Sequence, residues 1–320
     1  MSAFVFVEVF GYVCAPISLA SNILLLLIIR NSNSRHLVQY NVPLSLVAVS
    51  NIVLSVIFLL CQPCVLVNNN TALVILLGPA TFVHPVFAVI CFVIFEATVI
   101  LCTLQVASVY AFKFFALKRN NVKIWQTCLF LTLVPLICFC IVAPMAYLSF
   151  ETAVQNPFKY EHYNRIVRGF TQFDSPPFYI AYRLNLLGKI FLLILLLSCC
   201  VGCTVVAVIT IWSSPLLAFI NNSMNQSGSR SGQIVNAFRV IGCSIGILVV
   251  LPLVVFTVFA LFDLPMYSYS IPLFLGVAFV PILNAYFVIF NIRTFRRALS
   301  DLLSWKQKST GTVSHISSDP

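Results

Sequence analysis

Apolar residues run along this chain in long blocks joined by short polar segments, with no self-similar period and no heptad pattern. A helix needs roughly 20 mostly apolar residues to cross about 30 Å of hydrocarbon at 1.5 Å per residue. Seven blocks reach that length: residues 9–29, 42–65, 85–110, 124–148, 186–212, 240–262 and 271–290. The pattern predicts an all-α membrane protein, a bundle of seven transmembrane helices. Residues 71–83 are the weakest alternative crossing, but they are few and contain Gly78 and Pro79, so they read as a loop. The longer connections are 150–183 and 213–239. A different pattern follows the seventh block. Phe295, Leu299, Leu302 and Leu303 recur at helical spacing opposite Arg296 and Arg297, which predicts a short amphipathic helix on the inner leaflet, with Trp305 at its interfacial end. Residues 1–305 thus read as one membrane domain. The Ser/Thr-rich stretch 306–320 reads as a disordered cytoplasmic tail.

Composition closes off the soluble alternatives. Of 320 residues, 61% are hydrophobic and 8% charged, where a water-soluble chain carries roughly 25% charged residues. Soluble enzymes, nucleic-acid binders and secreted disulfide scaffolds are set aside on that ground. Nearly all of the 12 cysteines fall inside apolar blocks, where a thiol behaves as a small hydrophobe. Cys91 can meet Cys61 or Cys64, or all three can stay free. The first block has no basic segment or cleavage site ahead of it, and is expected to stay as a helix. The formal charge of +10 matters through its distribution. Most of the Lys and Arg residues lie in the first, third and fifth joints and the tail, which predicts an outside N-terminus and a cytoplasmic C-terminus in the plasma membrane.

Ionisable groups inside a bilayer are costly and mark functional candidates. Glu96 lies 11 residues into the third block, about 16 Å deep. It can bind a cationic ligand group, pair with a basic side chain, or sit protonated on an internal hydrogen bond. Arg183 and Lys189 offer a counter-charge to it or to an anionic odorant, or snorkel to the headgroups. Around such a group, Phe92, Phe95, Tyr182, Phe259 and Tyr267 are of the right type and depth to line an apolar pocket. His84, Tyr179 and Tyr269 are of similar type. Asn22, Asn51 and Asn284 can form a small polar network between helices. Pro252 and Pro281 permit bends in the sixth and seventh helices. No nucleotide loop, zinc helix or nucleophile elbow appears, and the four His residues are not grouped as ligands, so neither an enzyme nor a cofactor or metal is expected.

Two segments carry a family resemblance. At the end of the third block stand Phe112, Lys113, Phe114 and Phe115, then Lys118 and Arg119. In the seventh, the run from Pro281 through Asn284 and Tyr286 leads to Phe290, Asn291, Arg293, Phe295, Arg296 and Arg297, with Ser21 and Asn22 in the first block beside it. Together they resemble nematode seven-transmembrane chemoreceptors, the serpentine receptors of the Str-like group, with Lys113 where an Arg is usual. The resemblance covers essentially the whole chain. It implies a G-protein-coupled receptor that binds a small-molecule odorant or pheromone between its outer helix halves, plausibly in a sensory cilium. It further implies that Lys113, Lys118, Arg119, Arg239 and Arg293 face a heterotrimeric G protein or anionic membrane lipids. Three features depart from rhodopsin-like receptors: Ala285 follows Asn284 where proline is usual, Asn51 stands where an Asp is common, and residues 150–183 contain no Cys. A seven-helix ligand-gated channel or a small-solute transporter is the alternative.

Overall fold

A computed structural model describes residues 3–31, 38–68, 70–118, 124–151, 157–171, 178–223, 239–266 and 275–311. In lipid every backbone N–H and C=O needs an internal partner, so unbroken apolar blocks become helices. The long helices are α1 (Ala3–Asn31), α2 (Val38–Cys61), α4 (Pro85–Lys118), α5 (Ile124–Ser149), α7 (Leu186–Ser223) and α8 (Arg239–Leu261); shorter ones are α3 (Ala80–Val83), α6 (Pro157–Thr171), α9 (Gly276–Asn291) and α10 (Arg293–Gly311). Among the described residues five of them, α1, α2, α4, α7 and α8, are long and apolar enough to cross a membrane. Helix α9 is shorter and continues across a 95° bend into α10; counted together as one broken span the pair is a sixth. The fourth apolar block is helical throughout as α5, 26 residues long. The chain is therefore a multi-pass membrane protein.

Helix α4 is the axis of the bundle. Every residue from 102 to 109 is buried, with α2, α5 and α7 packed around it. Helix α1 lies between α2 and α9, and α9 touches α2 and α8. After the 95° bend Phe295 is fully buried, and Leu299 and Leu302 pack against the core. The amphipathic stripe thus holds α10 against the bundle. The helix runs on to Gly311, past the expected end near Trp305, through Lys306, Gln307 and Lys308, which are good helix formers. Residues 312–320 lie outside the described residues.

The second block ends sooner than its hydropathy suggests. Helix α2 stops at Cys61; Gln62 takes a left-handed φ of 40°, and Pro63, which has no N–H to donate, starts strand β1 (Pro63–Asn68). The segment read as a loop from residue 71 is strand β2 (Thr71–Leu76) followed by α3, and the connection 150–183 holds β3 (Phe150–Glu151), α6 and β4 (Tyr179–Arg183). The four strands form one antiparallel sheet in the order β1-β2-β4-β3. Helices occupy the described parts of all seven apolar blocks apart from the end of the second, five of them long and apolar enough to cross a membrane, and this sheet is added to them. Its two faces are both buried. Val65, Val67, Ala72, Val74, Ile180 and Tyr182 face the bundle core. Leu66, Leu73, Ile75, Tyr179 and Ala181 face away, onto Tyr163 and Val167 of α6 and Val7 of α1. The Tyr179 hydroxyl is shared between the Tyr160 carbonyl (3.1 Å) and Asn164 Oδ1 (3.0 Å), which fixes α6 to the sheet. Met266 N–H donates to the Val67 carbonyl (3.2 Å), tying the chain beyond α8 to β1. The sheet therefore roofs one end of the bundle, and α6 covers the roof. Beneath it Cys61, Cys64 and Cys91 are buried free thiols.

Candidate functional site

Under the roof lies a cavity of about 110 Å³. Its walls follow helical geometry. Phe92, Phe95, Glu96 and Val99 come from α4, and Val249, Pro252, Leu253 and Phe256 from α8, each set spaced i, i+3, i+4, i+7 and so on one face. Helix α7 adds Gly188, Phe191, Leu192, Leu195 and Cys199, and α9 adds Val277. The sheet closes the top with Val65, Ala72, Val74 and Tyr182, and Arg183, exposed, stands at the rim. The aromatic rings touch one another: Phe92 and Phe95 stack at 6.2 Å, Phe92 meets Tyr182 at 6.1 Å, and Tyr182 stacks on Phe191 at 6.5 Å.

Glu96 is the acidic group in this apolar enclosure. Its Oε2 is buried with no hydrogen-bond partner. Burial first, and then the Glu96 charge beside it, hold the Tyr182 phenol well above its ordinary range, so Tyr182 remains a neutral hydroxyl.

The structure brings together four of the residues expected here, Phe92, Phe95, Glu96 and Tyr182, and puts Pro252 in the same wall. Lys189 goes elsewhere. Its ammonium is 2.8 Å from Asp263 Oδ1 and donates to the Leu261 carbonyl (3.2 Å), closing the end of α8 where Asp263 adopts a left-handed φ of 56°. It is thus no counter-charge to Glu96. Phe259 packs against the core outside the cavity. Tyr179 lies behind the sheet against α6, and His84 is exposed. Tyr267 and Tyr269 fall outside the described residues. Phe191, Leu253, Phe256 and the strand residues Val65, Ala72 and Val74 were not anticipated. Phe256 differs from the expected Phe259 by three positions, and an apolar helix carries no signal for its own rotation.

A second polar cluster sits deeper in the bundle. Asn51 Nδ2 donates to Asn22 Oδ1 (3.2 Å), and Asn284 Nδ2 donates to Asn51 Oδ1 (3.4 Å). Asn22 Nδ2 also donates to the carbonyls of Ser18 (2.9 Å) and Pro281 (3.0 Å), while the Cys102 thiol points at Asn51 Oδ1 (3.8 Å). The Ser18 and Ser55 hydroxyls are hydrogen-bonded beside it. Asn51 is thus the hub of a network joining α1, α2, α4 and α9. Asn22, Asn51 and Asn284 are each at most 1% exposed.

Helix α8 is not regular. Residues Gly246–Val250 form a π turn, with the Leu251 N–H reaching back five residues to the Gly246 carbonyl. Pro252 then removes the donor that would have bonded the Leu248 carbonyl. That carbonyl points at α9, where a Cβ on Gly276 would come within 2.6 Å of it. The break in α8 is therefore a wall of the cavity and a contact with α9 at once.

The bundle end away from the sheet collects basic positions. Residues 113 and 118 lie in the last turns of α4, Arg239 opens α8, and Arg293 opens α10, exposed, just past the bend. The side chains of Lys113 and Lys118, and Arg119 altogether, lie outside the described residues. A family model described as "Serpentine type 7TM GPCR chemoreceptor Srd" matches residues 7–301. No curated protein matches the chain.

Proposed function

The chain belongs to the Srd family of serpentine seven-transmembrane chemoreceptors, and from that premise we propose that it detects a small-molecule odorant or pheromone in the sheet-roofed cavity and signals to a heterotrimeric G protein at the opposite end of the bundle. The family is of G-protein-coupled type. In this reading the N-terminus and the sheet face outward in the plasma membrane, or in a sensory cilium. The basic end, with Lys113, Lys118, Arg119, Arg239 and Arg293, faces the cytoplasm, where it meets the G protein and anionic lipid headgroups.

One observation carries the proposal: the cavity shares a wall with the broken turn of α8. A regular helix resists bending along its whole length, whereas a π turn followed by proline concentrates the give at one place. A ligand that presses on Val249, Pro252 and Leu253 acts on that place and can move the cytoplasmic half of α8. The asparagine network, with Pro281, supplies exchangeable contacts between the helices that must shift; amide bonds between membrane helices contribute only about 0.6 to 2 kcal/mol each. A channel or transporter is the rival reading. The walls around Glu96 are apolar, which favours holding a small organic molecule over passing a hydrated ion.

The test is a panel of small odorants applied to cells that express the chain, with a G-protein readout. Leu253→Trp, which fills the cavity with indole, should raise the half-maximal concentration of every agonist about tenfold or more while surface expression stays within about twofold. Agonist responses that survive the substitution unchanged would place the ligand elsewhere.

A further inference from the structure

We propose that the ligand is a small amine, bound as its cation with the nitrogen on Glu96 and with aromatic faces around it. The inference deepens the reading of this cavity as the receptor's ligand site, and rests on it.

Glu96 Oε2 is buried without a hydrogen-bond partner in a cavity whose other walls are almost entirely apolar. A carboxylate oxygen in that position is costly until something brings it a donor. Among the described residues, Lys189 is committed to Asp263 and the Leu261 carbonyl, and Arg183, exposed at the rim, makes no hydrogen bond to Glu96 Oε2. A carbonyl ligand can be held only by the neutral acid, and leaves the ionised carboxylate without a donor. An alcohol brings one donor and no charge, whereas an ammonium brings up to three donors and the charge that the carboxylate lacks. The remaining walls agree, since Phe92, Phe95, Phe256 and Tyr182 line the same space and aromatic faces attract cations. Size narrows the class. At about 110 Å³ the cavity is smaller than the roughly 150 Å³ apolar cavity that admits benzene. The fitting ligand is therefore a short chain carrying one nitrogen.

The experiment uses the purified full-length receptor and three probes of similar shape, propylamine, 1-propanol and butane, with binding read by thermal stabilisation. Propylamine should bind about tenfold or more tightly than either neutral probe, and Glu96→Gln should remove that advantage. Phe256→Leu should weaken the amine about threefold and spare the neutral probes. That second variant carries the test if Glu96→Gln fails to fold. Neutral probes that bind as tightly as the amine, an amine that does not bind, or variants that weaken all three probes equally would each overturn the proposal. Signalling is scored separately. Amine binding that never activates a G protein would leave this site standing and sink the receptor reading.

Discussion

Replacing Gly78 by alanine should remove most of the receptor from the cell surface, by about tenfold or more, because there is no room for one methyl group. A Cβ at this position would lie 2.2 Å from the Leu60 oxygen, 2.5 Å from the Leu60 carbonyl carbon and 2.8 Å from that of Cys61. All three are backbone atoms at the end of α2, so no side chain can swing aside. Gly78 takes no left-handed φ; the need for glycine is one of contact. Its N–H donates to the Cys61 carbonyl (3.0 Å), and the neighbouring Leu77 N–H donates to that of Gln62 (3.3 Å). These bonds hold β2 under the end of α2 and so set the roof of the cavity. Forcing them apart belongs with the largest single-substitution costs, about 4 kcal/mol or more. Surface labelling of a tagged receptor checks it; near-normal levels of Gly78→Ala would mean that the roof is not built this way.

The second large effect concerns signalling without ligand. Asn51→Leu should raise basal G-protein activity per surface receptor about fivefold or more. Asn51 accepts from Asn284 and Cys102 and donates to Asn22, so leucine strands polar groups on three other helices in one step. Interhelical hydrogen bonds of this kind contribute about 0.6 to 2 kcal/mol each, and 1.4 kcal/mol is a factor of ten in a two-state equilibrium. We assign the network to the resting arrangement, and its loss therefore favours the active one. A fall in thermal stability with no rise in basal activity would make the network a structural clasp only.

How much of this could be read from residues alone follows from the solvent. Lipid forbids unpaired backbone, so the long helices announce themselves as apolar blocks and the bend before α10 as a change to an amphipathic stripe. The sheet did not announce itself. Both of its faces are buried, so Val65, Leu66, Val67 and then Leu73, Val74, Ile75 lack the polar alternation that marks a half-exposed strand, and a short apolar run reads equally as the end of a helix. The site was legible where one helix supplies a face. Phe92, Phe95 and Glu96 share a side of α4 by spacing alone. It was illegible where the partner is remote, since nothing near Lys189 tells of Asp263, 74 residues on. The three asparagines lie between. Their cost in lipid predicts that they seek partners, and only the packing of α1, α2 and α9 makes those partners one another.

The central claim is that filling a cavity at one end of the bundle changes what the other end does to a G protein. Nucleotide exchange on a purified heterotrimeric G protein, driven by the purified chain in lipid nanodiscs, tests it most directly. Exchange should rise when an agonist from the odorant panel is added and stay at baseline for Leu253→Trp under the same conditions. Agonist-driven ion flux through the purified chain in liposomes, with no effect on exchange, would contradict it.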